Sequence, residues 1–89
     1  MIKGITKSGF LFEVDENALN DMELVDVLAD DTMDDGFRMS HVVRKLLGDQ
    51  QRRALYDHVR TEDGRVPVDA VVAEVEDIFA SYNQPGKNS

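Results

Sequence analysis

The apolar periodicity of residues 67–82 is the strongest constraint on how this 89-residue chain can fold. Apolar residues recur there at spacings of three and four, as on one side of a helix. They are Val68, Val71, Val72, Val75, Ile78, Phe79 and Tyr82. The other side is expected to carry Asp69, Glu74, Glu76 and Asp77. Pro67 suits the first position because no N–H donor is needed there. The pattern predicts an amphipathic helix near 67–82 that packs on a core.

The N-terminal segment alternates apolar and polar residues with a period of two. Its apolar residues are Ile2, Ile5, Phe10, Phe12 and Val14. Ser8-Gly9 lies where a tight turn would connect two strands. Residues 2–14 therefore predict a β-hairpin. Its apolar face must pack on helices, because an isolated hairpin is marginally stable.

A helix near 16–30 is predicted to follow the hairpin. Asp15 or Asn17 supplies a capping side chain, and apolar residues again recur at spacings of three and four. The apolar side is expected to carry Ala18, Met22, Val25 and Leu28 or Ala29. A polar acidic loop is predicted over residues 30–37.

Two short helices, near 40–47 and 50–61, are predicted around Gly48. Ser40 is expected to cap the first, Gly48 to end it and Asp49 to cap the second. The apolar stripe of the first consists of Val42, Val43, Leu46 and Leu47. Turn-forming residues 61–64 then lead to the helix that starts at Pro67. The predicted fold class is α+β, mostly helical, with an N-terminal β-hairpin packed against about four amphipathic helices.

The length of the chain predicts one domain. A chain of this size buries about 60 to 65% of its unfolded surface, which supports a single core. We expect a globular domain over residues 1–82 and a polar, flexible C-terminal tail over 83–89. Without cysteine, disulfides and thiol nucleophiles are excluded. The first 15 residues lack the apolar core of a signal peptide, and no run reaches membrane-spanning length, so a cytoplasmic protein without membrane association is expected.

The net charge of −8 disfavours binding to nucleic acid or to an anionic membrane, because both repel an acidic surface. Ten acidic residues and no Lys or Arg lie between Leu11 and Gly36. This uneven distribution suits docking with a complementary surface, on a partner or on a second copy of the chain. One alternative is a DNA-related regulator. It would be either an acidic DNA mimic or a helix-turn-helix protein whose contacts are Arg44, Lys45, Arg52 and Arg53.

No catalytic group of residues is identifiable. Asp57 and His58 are neighbours in sequence, and adjacent helical side chains point about 100° apart, so they do not form an oriented acid and base pair. Neither a Cys nor a Ser in a strained glycine-flanked turn is expected beside His58. We therefore expect a protein that is not an enzyme, with structural or surface roles for His41 and His58.

A calcium loop centred on Gly36 is also disfavoured. In the EF-hand register, Met33 and Val42 would occupy two ligand positions, although neither has a side-chain oxygen. No metal site and no cofactor are expected.

The run LLGDQQRRALYDHVRTEDGRVP, residues 46–67, resembles the small tail assembly chaperones of long-tailed bacteriophages and prophages. The resemblance covers about residues 10–80 and includes FEVDENALNDMELVDVLAD before this run. It implies a protein that binds the long, largely helical tape measure protein and keeps it soluble while tail tube subunits polymerise. The tail tube protein is a second implied partner, and a homo-oligomer is compatible. The implied location is the cytoplasm of the bacterial host, and the finished virion lacks the chaperone.

Two further expectations follow from this resemblance. Many such genes make a longer product by a programmed ribosomal frameshift. Gly86-Lys87 is codable as GGA AAA or GGA AAG, and if CCG encodes Pro85 the bases read as the slippery G GGA AAA or G GGA AAG. Residues at the end of the last helix would lie beside such an extension, so the candidate partner contacts are Ile78, Phe79 and Tyr82. A head-tail or tail-terminator structural protein is the competing function within phage biology.

Overall fold

The computed structural model of the chain describes residues 1–82. In order, the elements are β1 (Ile2–Ile5), β2 (Leu11–Val14), α1 (Glu16–Leu19), α2 (Met22–Ala29), α3 (Asp35–Val59) and α4 (Val68–Tyr82). The predicted class, a mostly helical α+β fold with an N-terminal hairpin against four helices, is confirmed. The tail over 83–89, which the sequence predicts to be flexible, lies outside the described residues.

The predicted hairpin and its turn are confirmed. The antiparallel register pairs Ile2 with Val14, Lys3 with Glu13, Gly4 with Phe12 and Ile5 with Leu11. In the turn, the Thr6 N–H donates to the Phe10 carbonyl at 2.9 Å, and the Gly9 N–H donates to the Thr6 carbonyl at 3.0 Å. Gly9 has a φ of 97°, a left-handed conformation that glycine adopts without a steric penalty.

One face of the hairpin packs on the helices through three buried side chains, Phe10, Phe12 and Val14. Gly4 lies opposite Phe12, and a Cβ on Gly4 would approach Phe12 Cζ to 2.7 Å, so the missing side chain makes room for the ring. Ile5 pairs with Leu11 on the opposite, exposed face. The prediction that Ile5 lies on the buried face is therefore wrong, because the pairing register places its side chain on the other side of the sheet.

The prediction of a single helix over residues 16–30 is wrong, because the helical conformation is interrupted at Asn20 and Asp21. Asp15 caps α1 by accepting a hydrogen bond from the Asn17 N–H at 2.9 Å. Asp21 caps α2 in the same way, accepting from the Glu23 N–H at 2.9 Å. The backbone of Asp21 is extended, with φ −130° and ψ 112°, and a residue in this conformation starts a new helix. The capping role predicted for Asp15 is confirmed.

The break also changes which side of α2 is buried. Leu24 is fully buried, and Val27 and Leu28 pack partly against the core. Met22 and Val25, predicted on the apolar core side, are instead 68% and 45% exposed. The prediction assumed one continuous helix, whereas α2 starts anew after Asn20 and turns a different side inward.

α3 begins at Asp35, which lies within the predicted loop over 30–37, so Ser40 is not its cap. The residue at the cap position is Asp34, whose side chain makes no capping hydrogen bond. Gly48 has φ 76° and ψ 177° and interrupts the α-helical geometry. The predicted interruption at Gly48 is therefore confirmed, as a kink that divides α3 into two helical segments.

The segments of α3 and the helix α4 form the centre of one hydrophobic core. Its buried members are Phe10, Phe12, Val14, Leu24, Met39, Val42, Val43, Leu46, Leu47, Leu55, Val71, Val75 and Ile78. The predicted turn between α3 and α4 forms, with the Thr61 N–H donating to the Arg65 carbonyl at 2.8 Å. α4 follows Pro67 directly, close to the predicted start.

Replacing Gly48 by Ala is expected to lower the free energy of unfolding by about 1–3 kcal/mol, the usual cost of holding a non-glycine residue in such a conformation. A Cβ at Gly48 would meet no atom within 4 Å, so the cost is conformational and not steric. Gly36→Ala is the matched control. Gly36 is helical and its added Cβ would lie 3.6 Å from Val68 Cγ2, so this variant should be as stable as the wild type or more stable. Urea denaturation measures both, and equal stability of Gly48→Ala and wild type would contradict a required kink.

Candidate functional site

A partly buried polar cluster joins the hairpin turn to the two long helices. Glu74 on α4 is only 4% exposed and accepts hydrogen bonds from Thr6 Oγ1 and Ser8 Oγ, both at 2.8 Å. Ser8 Oγ also lies 2.9 Å from His58 Nε2 on α3. The Phe10 ring stands 5.6 Å from the His58 ring at 48°. The cluster therefore brings a serine, a histidine and a carboxylate together, which are the residue types of a catalytic triad.

The hydrogen-bond directions give this cluster a structural role. Ser8 has one hydroxyl hydrogen, which it donates to Glu74, so His58 Nε2 must be the donor in its bond to Ser8 Oγ. In a triad, the imidazole accepts the serine proton and the carboxylate contacts the imidazole. Here the carboxylate contacts the serine instead. The cluster fixes the hairpin turn on α3 and α4.

One expectation about this region is wrong. Glu74 does not lie on the exposed side of its helix, because its spacing of three from Val71 and four to Ile78 places it on the buried stripe. That spacing is visible in the sequence and could have located it. Ser8 does lie beside His58 and precedes Gly9 in the hairpin turn, but Gly9 adopts its conformation without strain, so this is not the strained serine turn that the sequence was expected to lack.

A second contact holds the same turn on α4. Asp77 accepts a hydrogen bond from the Lys7 N–H at 2.9 Å, and its other oxygen lies 3.8 Å from Lys7 Nζ. Since Lys7 is at the tip of the hairpin, this contact gives an N–H group of the turn a hydrogen-bond partner.

The three predicted partner contacts differ in accessibility. Ile78 is 1% exposed and belongs to the core, so it offers no surface to a partner. Phe79 is half-buried and packs against the core. Tyr82 is 45% exposed. Of the three, Tyr82 is the most accessible to a partner while the chain stays folded.

The basic residues of the helix-turn-helix alternative do not form one free patch. Lys45 lies 3.7 Å from Asp21 and 3.5 Å from Glu23, and both contacts are ion pairs. The Arg52 side chain is largely buried and pairs with Asp49 at 3.3 Å. The remaining two are exposed: Arg44 and Arg53. This arrangement weakens the case for recognition of DNA phosphates.

An open groove of about 820 Å³, here called the hairpin groove, runs between the hairpin and the second segment of α3. Three large exposed apolar side chains line it, Met1, Ile5 and Leu11. Gln51 lies beside them and binds the outer edge of β2: its Oε1 accepts from the Glu13 N–H at 2.7 Å, and its Nε2 donates to the Glu13 carbonyl at 2.6 Å. The Gln51 amide thus pairs with this edge as a neighbouring strand would.

Shifted pKa values occur at exposed groups. A hydrogen bond from the hydroxyl of a threonine two residues away lowers the pKa of Asp30, and another lowers the pKa of Asp63. The hydrogen bond and charge attraction between the Met1 amino group and Glu16, 2.8 Å apart, raise the pKa of the amine and lower the pKa of the carboxyl. These contacts favour the ionised forms of surface groups.

In residues 1–82, no three His, Cys, Asp or Glu side chains are grouped so that they could hold a metal ion. None of the helices in this part of the chain has the length and apolar character to cross a membrane. Comparison with protein-family models, with curated proteins and with solved structures gives no match. The exposed apolar and acidic surfaces are therefore the features on which a proposal can rest.

Proposed function

We propose that this protein is a non-enzymatic assembly chaperone that binds a long helical partner and keeps it soluble. The observation that supports the proposal is the apolar surface of the hairpin groove. Ile5 and Leu11 are exposed as a cross-strand pair, and Met1 is exposed along the same groove, although the chain has a hydrophobic core of its own. Adjacent exposed apolar side chains on a small protein are typical of an interaction site.

The charge of the chain supports the same function. A net charge of −8 on 89 residues favours solubility, and a complex with an aggregation-prone partner would share that charge. Ten of the acids lie between residues 11 and 36, a region without Lys or Arg. A small acidic protein with an apolar groove is suited to shielding a partner from self-association.

The resemblance to tail assembly chaperones supplies the specific partner. We infer that the tape measure protein of a long-tailed phage is bound, with the tail tube protein as a second partner, in the cytoplasm of the bacterial host. On this proposal the protein leaves before the virion is complete. No residue has a catalytic role, and no cofactor takes part.

Co-expression with the long helical protein encoded just downstream tests this function. That protein is expected to stay soluble and to co-purify only when this chain is present. An unrelated acidic protein of similar size is the control for a general effect of charge. An insoluble partner, with both proteins well expressed, contradicts the proposal. Detection of this chain in purified virions favours a structural head-tail or tail-terminator protein instead.

A further inference from the structure

α2 presents an apolar stripe to solvent that no other described part of the chain covers. Met22 and Val25 are 68% and 45% exposed, and Ala29 is also exposed. Spacings of three and four place these residues on one side of the helix, opposite the buried Leu24. Together with Asp26, which lies between them on the same side, they form what is here called the α2 surface.

The α2 surface is negatively charged. Asp26 forms no ion pair within residues 1–82, and Glu23 and Asp30 lie along one flank of the stripe. Two basic residues lie beside the flanking acids: Lys45 contacts Glu23 at 3.5 Å, and Arg38 donates a hydrogen bond to the Asp30 carbonyl at 3.1 Å. The surrounding sequence from residue 11 to 36 contains ten acids and no Lys or Arg. The apolar stripe therefore lies in an acidic region, beside a carboxylate, Asp26, that no Lys or Arg of residues 1–82 neutralises.

We propose that the α2 surface binds a basic amphipathic helix. The apolar side of that helix would cover Met22 and Val25, and its Lys or Arg residues would face Asp26 and the flanking acids. A helix is the fitting partner because the backbone groups of α2 are already bonded within it, so contact must be made through side chains at helical spacing. This inference rests on the proposed function for the source of the helix, a long helical partner protein.

A second copy of the chain is a poorer occupant of this surface. A two-fold contact places the same patch of both copies together, so each Asp26 would lie close to its equivalent in the other copy. Like charges at the centre of an interface oppose association. A partner with the opposite charge removes this conflict.

Binding of a synthetic helical peptide to the full chain tests the inference directly. The probe is a fluorescent 18-residue peptide of Leu and Lys with Leu on one side, and its control replaces every Lys by Glu. Fluorescence anisotropy is expected to detect binding of the Lys peptide only, weakening as salt is raised. The double variant Met22→Ser and Val25→Ser should reduce affinity by about tenfold or more, as expected for lost apolar burial.

The matched control is the double variant Phe37→Ser and Val68→Ser, which removes two apolar side chains that are 68% and 46% exposed outside both the α2 surface and the hairpin groove, and leaves the charge unchanged. It should bind the peptide as the wild type does. Equal loss in both double variants, no loss in either, absence of binding, or binding of the Glu peptide would each overturn the inference. Co-expression separates it from the proposed function. If the downstream protein stays soluble with the Met22 and Val25 variant, the chaperone function stands and the α2 surface is not its site.

Discussion

Replacing Ile78 by Asp is expected to unfold the protein, whereas replacing Tyr82 by Asp on the same helix should leave its stability nearly unchanged. Ile78 is 1% exposed and belongs to a core of apolar side chains. Burial of an unpaired carboxylate costs several kcal/mol, which is comparable to the whole stability of a small domain. Tyr82 is 45% exposed, so a carboxylate at its position stays hydrated.

Circular dichroism with thermal and urea denaturation distinguishes these outcomes. If Ile78→Asp melts like the wild type, Ile78 is accessible in solution and regains its place as a candidate partner contact. The same pair of variants clarifies the partner experiment. Loss of co-purification in Tyr82→Asp at unchanged stability would identify a contact, whereas loss in Ile78→Asp reports only on folding.

The helix α4 could be predicted because its pattern is local and long. Its apolar spacing continues over four turns, and Pro67 fixes its start. The interruption of the helix at Asp21 was harder to predict. Asp15 and Asp21 can each cap a helix within the same pattern of polar and apolar residues. Met22 and Val25 fit a continuous helix as well as they fit an exposed stripe. Single-sequence periodicity cannot decide which side of a short helix meets the core.

The polar cluster depends on contacts that are distant in sequence. Ser8 and His58 are separated by 50 residues, and Ser8 and Glu74 by 66. No local pattern encodes such pairs, because the register of the hairpin and the packing of two helices together determine them. The position of Glu74 on its helix was nevertheless readable from spacing. Its partners, Thr6 and Ser8, were not.

Packing of the hairpin on the helices predicts a second large effect, at Phe12. Phe12→Ala is expected to lower the free energy of unfolding by about 3–5 kcal/mol, since it removes a buried ring and leaves a cavity beside Gly4. Leu11→Ala should cost less than about 0.5 kcal/mol, because Leu11 is 74% exposed on the other face of the same strand.

Phe12 and Leu11 are neighbours in β2, and both substitutions introduce Ala there. The difference in stability between the two variants therefore reports on burial and hardly at all on strand propensity. A two-stranded sheet has little stability of its own, so the hairpin must derive its stability from the helices through this face. Hydrogen exchange of the Thr6 and Phe10 amides should accelerate in Phe12→Ala and stay near wild type in Leu11→Ala. Equal destabilisation by the two variants would mean that both faces of the hairpin are covered, and the hairpin groove would then not be open to a partner.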